Sequence, residues 1–229
     1  MDIKKQIIDE INIKAKVKQE VYDSTFECFN LLKSILEEIS EEYNDEISSE
    51  DERVKLNYQN NGAFESELKV AGDLLIFTLH SNVFEFNREH DFWKLDYVKN
   101  DILNSFTGII HIYNFLADSF KYNRLEDLGY LIGRIFVNKD GYFFVEGKRQ
   151  LGFPIKDFGT KQFDKESLKH IINTAIKYAL DFDLLVPPYD KIMIASVGQM
   201  TQNITHSKIK TGKRLGFKFQ SDDVQNKIE

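Results

Sequence analysis

The longest periodic pattern in the chain lies between Ile3 and Ile39. Apolar residues recur there at steps of three or four, without proline or glycine, which is the spacing of one helix face. These positions are Ile3, Ile7, Ile11, Val17, Val21, Cys28, Leu32, Ile35 and Ile39. The pattern predicts one long helix or two, with a stutter near Ala15. A dimerising coiled coil stays open as an alternative, although regular flanking charge pairs are missing.

Short apolar segments separated by turn signals follow this helical pattern. VKLNYQ, AFESELKVA, LLIFTLH and VFEFN are separated by NNG, GD and SN, which predicts an antiparallel meander of four strands. The stretch DFWKLDYVKNDILN, residues 91–104, predicts a helix against the sheet. After it, GIIHIYNFLA, LGYLIGRIFV and GYFFVEGK restore the strand pattern.

Local signals place the remaining elements. NKDG, residues 138–141, is typical of a type I turn that closes a hairpin with Gly141 in the left-handed region. Asp164 as N-cap and an apolar stripe predict a helix over 164–182. Prolines at 187 and 188 predict an extended link, and KIMIASVG, residues 191–198, predicts a final buried strand. The fold class is therefore α+β: a mostly antiparallel sheet packed by a helix from the C-terminal half, with a long N-terminal helix or helical pair.

Composition supports a folded chain and indicates its compartment. Hydrophobic residues make up 42% of the sequence, with 19 Phe and 10 Tyr, so folding can bury enough surface to offset chain entropy. The single cysteine cannot form an internal disulfide, and no run of about 18 apolar residues is present. We therefore expect a soluble cytoplasmic protein that makes no membrane contact.

Charge divides the chain into three predicted parts. The net charge is −7, yet residues 37–52 hold nine acids and no base, whereas residues 205–219 hold five bases and no acid. We interpret residues 1–52 as an N-terminal helical arm that ends in an acidic linker. Residues 53–200 are predicted to form the α+β core domain, and residues 201–229 a basic C-terminal tail.

One strand end carries a candidate catalytic pair. In GYFFVEGKRQ, the period of two puts Glu146 and Lys148 on the same face. This E-x-K triplet resembles half of the motif of the PD-(D/E)xK nucleases, and the resemblance implies Mg²⁺-dependent phosphodiester hydrolysis. The motif needs an upstream acid. Asp127 faces correctly but lies about 20 Å beyond Gly133, the residue expected opposite Glu146.

Two further groups of residues are candidates for binding. Lys208, Lys210, Lys213, Arg214, Lys218 and Phe217 lie in the tail, and they combine phosphate-binding charge with a ring for base stacking. A nucleic acid, an acidic protein partner or no ligand at all would fit that tail. His111, Tyr113 and Trp93 could line a small-molecule pocket. No standard zinc spacing occurs, so we predict no metal set, and the sequence names no cofactor.

Three functions follow from these observations. The leading expectation is a non-catalytic regulatory or interaction module that binds a protein partner or forms a homo-oligomer, with the N-terminal helix as the contact. The alternative is a Mg²⁺-dependent nuclease that uses Glu146, Lys148 and Asp127, with the basic tail holding nucleic acid. A small-molecule sensor is the third.

Overall fold

The computed structural model describes residues 2–147 and 151–184, together with residues 186, 188, 189, 193, 194 and 196–198. It confirms the predicted α+β class, with six antiparallel strands in the order β1 to β6. The helices are α1 Ile3–Glu10, α2 Lys16–Glu46, α3 Asp96–Asn100, α4 Ala117–Lys121 and α5 Lys165–Leu180. The strands are β1 Asn57–Asn60, β2 Glu65–Val70, β3 Asp73–Leu79, β4 Gly108–Leu116, β5 Tyr130–Val137 and β6 Phe143–Gly147.

The N-terminal pattern folds as one helical run with an interruption. A π-helical turn, Ile11–Ala15, separates α1 from α2, at the predicted stutter. The helix then continues to Glu46, into the stretch that we expected to be an acidic linker. Glutamates of that stretch bind α5, because Lys165 pairs with Glu38 and Lys169 with Glu42. The acidic stretch is therefore partly a contact between two helices.

The main core lies between the sheet and two helices. α2 and α5 cover one face of the sheet, here called the helix-covered face, and bury Phe29, Leu32, Ile39, Leu168 and Ile172 against strand residues. Alternation along the strands supplies those partners, as in the predicted meander. The side chain of Asp164 accepts a hydrogen bond from the Ser167 amide at 2.7 Å, which confirms the predicted start of α5.

The opposite face of the sheet has its own aromatic core at one end. Phe136 and Phe144 stack there, with ring centroids 4.8 Å apart. The segment between β3 and β4 covers them with Phe92, and the segment after β6 adds Phe158. The predicted strand VFEFN is wrong, since only Phe84 makes an isolated bridge, to Thr107. Its phenylalanines pack onto the sheet instead of extending it.

Short helical turns replace the helix predicted over residues 91–104. They are two 3₁₀ turns, Asp91–Lys94 and Ile102–Ser105, on either side of α3. The final strand predicted over 191–198 lies largely outside the described residues.

Candidate functional site

Five isoleucines at the start of the helical run have exposed side chains. Their exposed fractions range from 45% at Ile8 to 71% at Ile3, and the others are Ile7, Ile11 and Ile13. No residue of α1 or of the π turn is buried. We call residues 3–13 the exposed isoleucine segment. Contiguous apolar side chains in water mark interaction surfaces in folded proteins.

The π turn separates this segment from the core-facing stripe of the same helix. A regular helix would align Ile3, Ile7 and Ile11 with Val17 and Val21. The π turn accommodates an additional residue, which corresponds to roughly 100° of rotation at 3.6 residues per turn. The exposed isoleucine segment therefore presents its stripe in a different direction from the one that α2 buries.

Charges along the segment are segregated. Lys4 and Lys5 lie in its first half, and Asp9 and Glu10 in its second half; all four are exposed. Within the described part of the chain, none of these four forms an ion pair with another element. The Asp2 side chain caps the helix start by accepting a hydrogen bond from the Lys4 amide at 3.0 Å. The segment is thus a capped helix with an apolar stripe and oppositely charged halves.

The segment ends where α2 meets the sheet. Val17 and Val21 form a small cluster with Phe106, and Lys18 Nζ lies 5.1 Å from the Phe106 ring centroid. One turn further along α2, the Thr25 side chain packs directly on Gly108. A Cβ added to Gly108 would lie only 2.1 Å from Thr25 Oγ1. This close approach fixes α2 on β4. The described helix is therefore anchored from Val17 onward.

A cavity of about 630 Å³ lies beside this junction. Its lining residues are Lys18, Gln19, Tyr22, Ser81, Asn82, Val83 and Phe84. The lining is mostly polar, and Lys18 is the one cation among its described residues. It provides hydrogen-bonding groups next to the exposed isoleucine segment.

Glu146 lies opposite a different residue from the one predicted. The hairpin pairs Arg134 with Glu146, so the predicted register, with Gly133 in that place, is wrong by one residue. The reason is that the turn includes Tyr142: the Asn138 side chain accepts hydrogen bonds from the amides of Asp140 and Tyr142. The Arg134 guanidinium donates to the Glu146 carboxylate. Arg134 was not among the predicted site residues, although the correct turn length would have placed it opposite Glu146.

Asp127 is held by other partners. Its Oδ2 accepts a hydrogen bond from the Ser119 hydroxyl at 2.7 Å and lies 3.1 Å from Arg124 Nε, with both charged side chains almost completely buried. Asp127 and Glu146 are thus bound by different cations. Lys148 lies outside the described residues, as do all six residues of the basic tail that we singled out. Among described residues, no three His, Cys, Asp or Glu side chains could hold a metal ion.

A cavity of about 500 Å³ adjoins Glu146. It is lined by Glu89, His90, Asp91, Phe144, Val145, Glu146, Gly147 and Ile155. Two of its acids are occupied by ion pairs, Glu146 with Arg134 and Asp91 with Lys94. The ammonium of Lys94 lowers the pKa of Asp91. The cavity is acidic, but these carboxylates already have partners.

The three predicted pocket residues belong to the face of the sheet that α2 and α5 leave uncovered. His111 and Tyr113 alternate along β4 with the core residues Ile110 and Ile112, and their ring centroids are 5.8 Å apart. Trp93 packs in the aromatic core, where its Nε1 donates to the carbonyls of Phe86 and Asn87. Burial lowers the pKa of His111, and the charges of Arg134 and His80 add to this effect. Neither cavity described above contains any of the three, and the sensor stays a prediction.

Cys28 gives no sign of reactivity. It is fully buried on the core-facing side of α2, and this burial raises the pKa of its thiol. The thiolate, which is the nucleophilic form, is therefore disfavoured.

Comparison with known proteins gives no information about the function of this chain. No protein-family model, curated protein or solved structure matches the chain significantly. Within the described residues, no helix has the length and apolar character needed to cross a bilayer. Two features of the described residues have defined geometry: the exposed isoleucine segment and the surroundings of Glu146.

Proposed function

We propose that this protein is an interaction module that binds a protein partner or a second copy of itself through the exposed isoleucine segment. The observation that carries the proposal is the exposure of Ile3, Ile7 and Ile11 on one capped helix. Leaving such side chains in water forfeits roughly 1 kcal/mol or more for each, which a partner would recover. Docking of an amphipathic helix through its apolar face is an established mode of recognition.

The anchoring of α2 supports the same proposal. A short isolated helix is marginal in water, but this segment continues a helix whose later turns are buried between sheet and α5. Much of the conformational entropy cost of forming this helix is therefore already spent in the free protein, before a partner binds. We place this activity in the cytoplasm, as the single buried Cys28 suggests.

Site-specific photo-cross-linking tests the proposal. A photoreactive residue at Gln6, beside the apolar stripe, should give a discrete cross-linked product in cells that express the full chain. Changing Ile7→Gln and Ile11→Gln should reduce that product to background, because both side chains are exposed and their loss leaves the fold intact. The matched control is the same photoreactive residue at Gln59, which is exposed on β1.

The outcomes of that experiment are distinct. A product at Gln6 that depends on Ile7 and Ile11 supports the proposal, whatever the partner is. Equal yields at Gln6 and Gln59, or a product that survives the isoleucine changes, would contradict it.

The nuclease alternative has no supporting observation among the described residues. Glu146 is paired with Arg134 and Asp127 with Arg124, and the remaining candidate groups, Lys148 and the basic tail, lie outside the described residues. It stays a prediction, as does nucleic-acid binding by the tail. Mg²⁺-dependent cleavage of labelled nucleic acid that is lost in Glu146→Gln would support it.

A further inference from the structure

We infer that the cavity between α2 and the connection that follows β3 binds a mononucleotide, a small ligand that joins a phosphate to a planar base. The cavity encloses about 630 Å³, which lies within the usual range of small-molecule sites, about 300–1,000 Å³. The inference does not depend on the proposed function, because the described lining includes no residue of the exposed isoleucine segment. Three features of the lining support it: a cation, two aromatic rings and a set of polar side chains.

Lys18 gives the cavity a positive charge that has no acidic partner among the described residues. Its ammonium lies 5.1 Å from the Phe106 ring centroid, and the ammonium of Lys14 lies 5.9 Å from the same centroid. The ring thus attracts two cations, one of which lines the cavity. A lysine ammonium has three donors and a full charge, which suits it to bind a phosphate group.

Acids near the lining in sequence do not neutralise this charge. Glu20 lies 3.6 Å from Lys16, and Glu85 lies 3.5 Å from Arg88, so each has a cation of its own. Asp23 is exposed and lies five residues after the lining ammonium, which turns it about 140° away on a regular helix. The described lining itself contains no acid. An anion is therefore locally favoured, although the whole chain has a net charge of −7.

Two aromatic rings line the cavity from different elements, Tyr22 from α2 and Phe84 from the connection after β3. The Tyr22 ring stacks with Phe26 at a centroid distance of 6.1 Å. Phe84 is held by an edge contact with His80 at 4.7 Å and by paired backbone hydrogen bonds with Thr107. Both rings are thus positioned by contacts within the chain. A planar base can stack on such rings whatever its identity.

Polar side chains of the lining are available to a ligand. Gln19, Ser81 and Asn82 are exposed, and their side chains form no hydrogen bond with another described residue. The Asn82 backbone is fixed, because its amide donates to His80 Nδ1 at 3.0 Å. A carboxamide carries a donor and an acceptor side by side, which matches the edge of a base. The lining therefore offers a group for each part of a mononucleotide: its phosphate, its ring face and its ring edge.

Calorimetric titration of the full chain tests this inference. The ligands are the 5′-monophosphates of adenosine, guanosine, cytidine and uridine, the four matching nucleosides, and inorganic phosphate. At least one monophosphate should bind with a Kd between about 1 µM and 1 mM. It should bind at least about tenfold more tightly than its nucleoside and than inorganic phosphate, because only the monophosphate uses the ammonium and the rings together.

Two variants assign the parts of the ligand to residues. Lys18→Gln should abolish the preference for the monophosphate and leave the affinity for the nucleoside within about threefold of the wild type. Gln19→Ala/Asn82→Ala should weaken the monophosphate and the nucleoside equally, by at least about fivefold. Lys16→Gln is the matched control, since Lys16 carries the same charge on the same helix, pairs with Glu20 and is not among the lining residues. It should bind like the wild type.

Each other outcome overturns a stated part of the inference. No binding of any monophosphate up to about 10 mM overturns it entirely. Affinity that is unchanged in both variants, with urea unfolding showing them folded, overturns this cavity as the site. Inorganic phosphate that binds as tightly as every monophosphate overturns the role of the rings. A short single-stranded oligonucleotide that binds more tightly than every monophosphate overturns the free mononucleotide as occupant. The cross-linking result at Gln6 is independent of all four.

Discussion

The two halves of the N-terminal helical run have similar apolar periodicity and opposite surroundings. In α2, Leu32, Ile35 and Ile39 are fully buried by the sheet and α5, whereas Ile3 and Ile7 before the π turn are more than half exposed. Both stripes follow the spacing of a helix face. Periodicity therefore predicts that a helix has an apolar side, but it does not indicate what covers that side. Among the described residues, burial of the helix begins at Val17, which packs with Val21 and Phe106.

Truncation of one apolar side chain in each half to alanine should give the largest difference between the two halves. Phe29→Ala removes a fully buried ring and should lower the free energy of unfolding by about 3–5 kcal/mol, through lost burial and a residual cavity. Ile7→Ala should change it by no more than about 0.5 kcal/mol, because Ile7 is exposed. Urea unfolding followed by circular dichroism, at low protein concentration, measures both. A large loss in Ile7→Ala would mean that the first half is packed within a single chain.

The contact between Thr25 and Gly108 sharpens the comparison, because it anchors the second half only. A Cβ at Gly108 would lie 2.1 Å from Thr25 Oγ1, so Gly108→Ala should lower the free energy of unfolding by about 1–3 kcal/mol through overpacking. Gly72→Ala is the matched control, since a Cβ there meets no atom within 4 Å. Urea unfolding of both variants tests the expectation.

A double variant isolates the cause of that loss. Thr25→Ala removes the two side-chain atoms beyond Cβ that crowd Gly108. In the Gly108→Ala background it should recover part of the lost stability, because two residues in contact are coupled. Simple addition of the two losses would show that the close approach is not the cause.

Local signals predicted much of this fold. At NKDG the Gly141 amide donates a hydrogen bond to the Asn138 carbonyl, and Gly141 has the expected positive φ. Asp164 caps α5, and the stutter near Ala15 became the π turn. These features depend on the chemistry of a few neighbouring residues. For the same reason, they could be predicted from the sequence alone.

The remaining features depend on contacts between distant segments. VFEFN alternates like a strand, yet Phe86 packs against Phe136 and Phe144 on the face of the sheet, and the alternation alone does not distinguish the two arrangements. The observed partner of Glu146 differs from the predicted one by one residue. The Asn138 side chain accepts a hydrogen bond from the Tyr142 amide, which lengthens the turn. The exposure of Ile3 and Ile7 likewise depends on where the sheet ends. The helix that carries the candidate site was predictable, whereas its lack of cover was not.

Acid titration should give the smallest difference between the halves. Glu38 binds Lys165 at 2.6 Å and lies 3.8 Å from Lys169, whereas no residue of the exposed isoleucine segment pairs with another element in the described chain. The hydrogen bond from Lys165 is the main cause that lowers the pKa of Glu38 in the folded protein. The resulting stability is present above the unfolded pKa, about 4.3, and is lost as pH falls through the folded pKa.

Glu38→Gln should therefore reduce the loss of stability between about pH 6 and pH 3, relative to the wild type. The effect should be smaller than that of Gly108→Ala, because the side chains are exposed, and it should shrink further in about 1 M salt. Urea unfolding at each pH measures it, with Glu41→Gln as the control, since Glu41 lies exposed on the same helix and forms no ion pair with a described residue. If Glu41→Gln flattened the pH dependence as much as Glu38→Gln, the ion pairs between α2 and α5 would not be what distinguishes the anchored half.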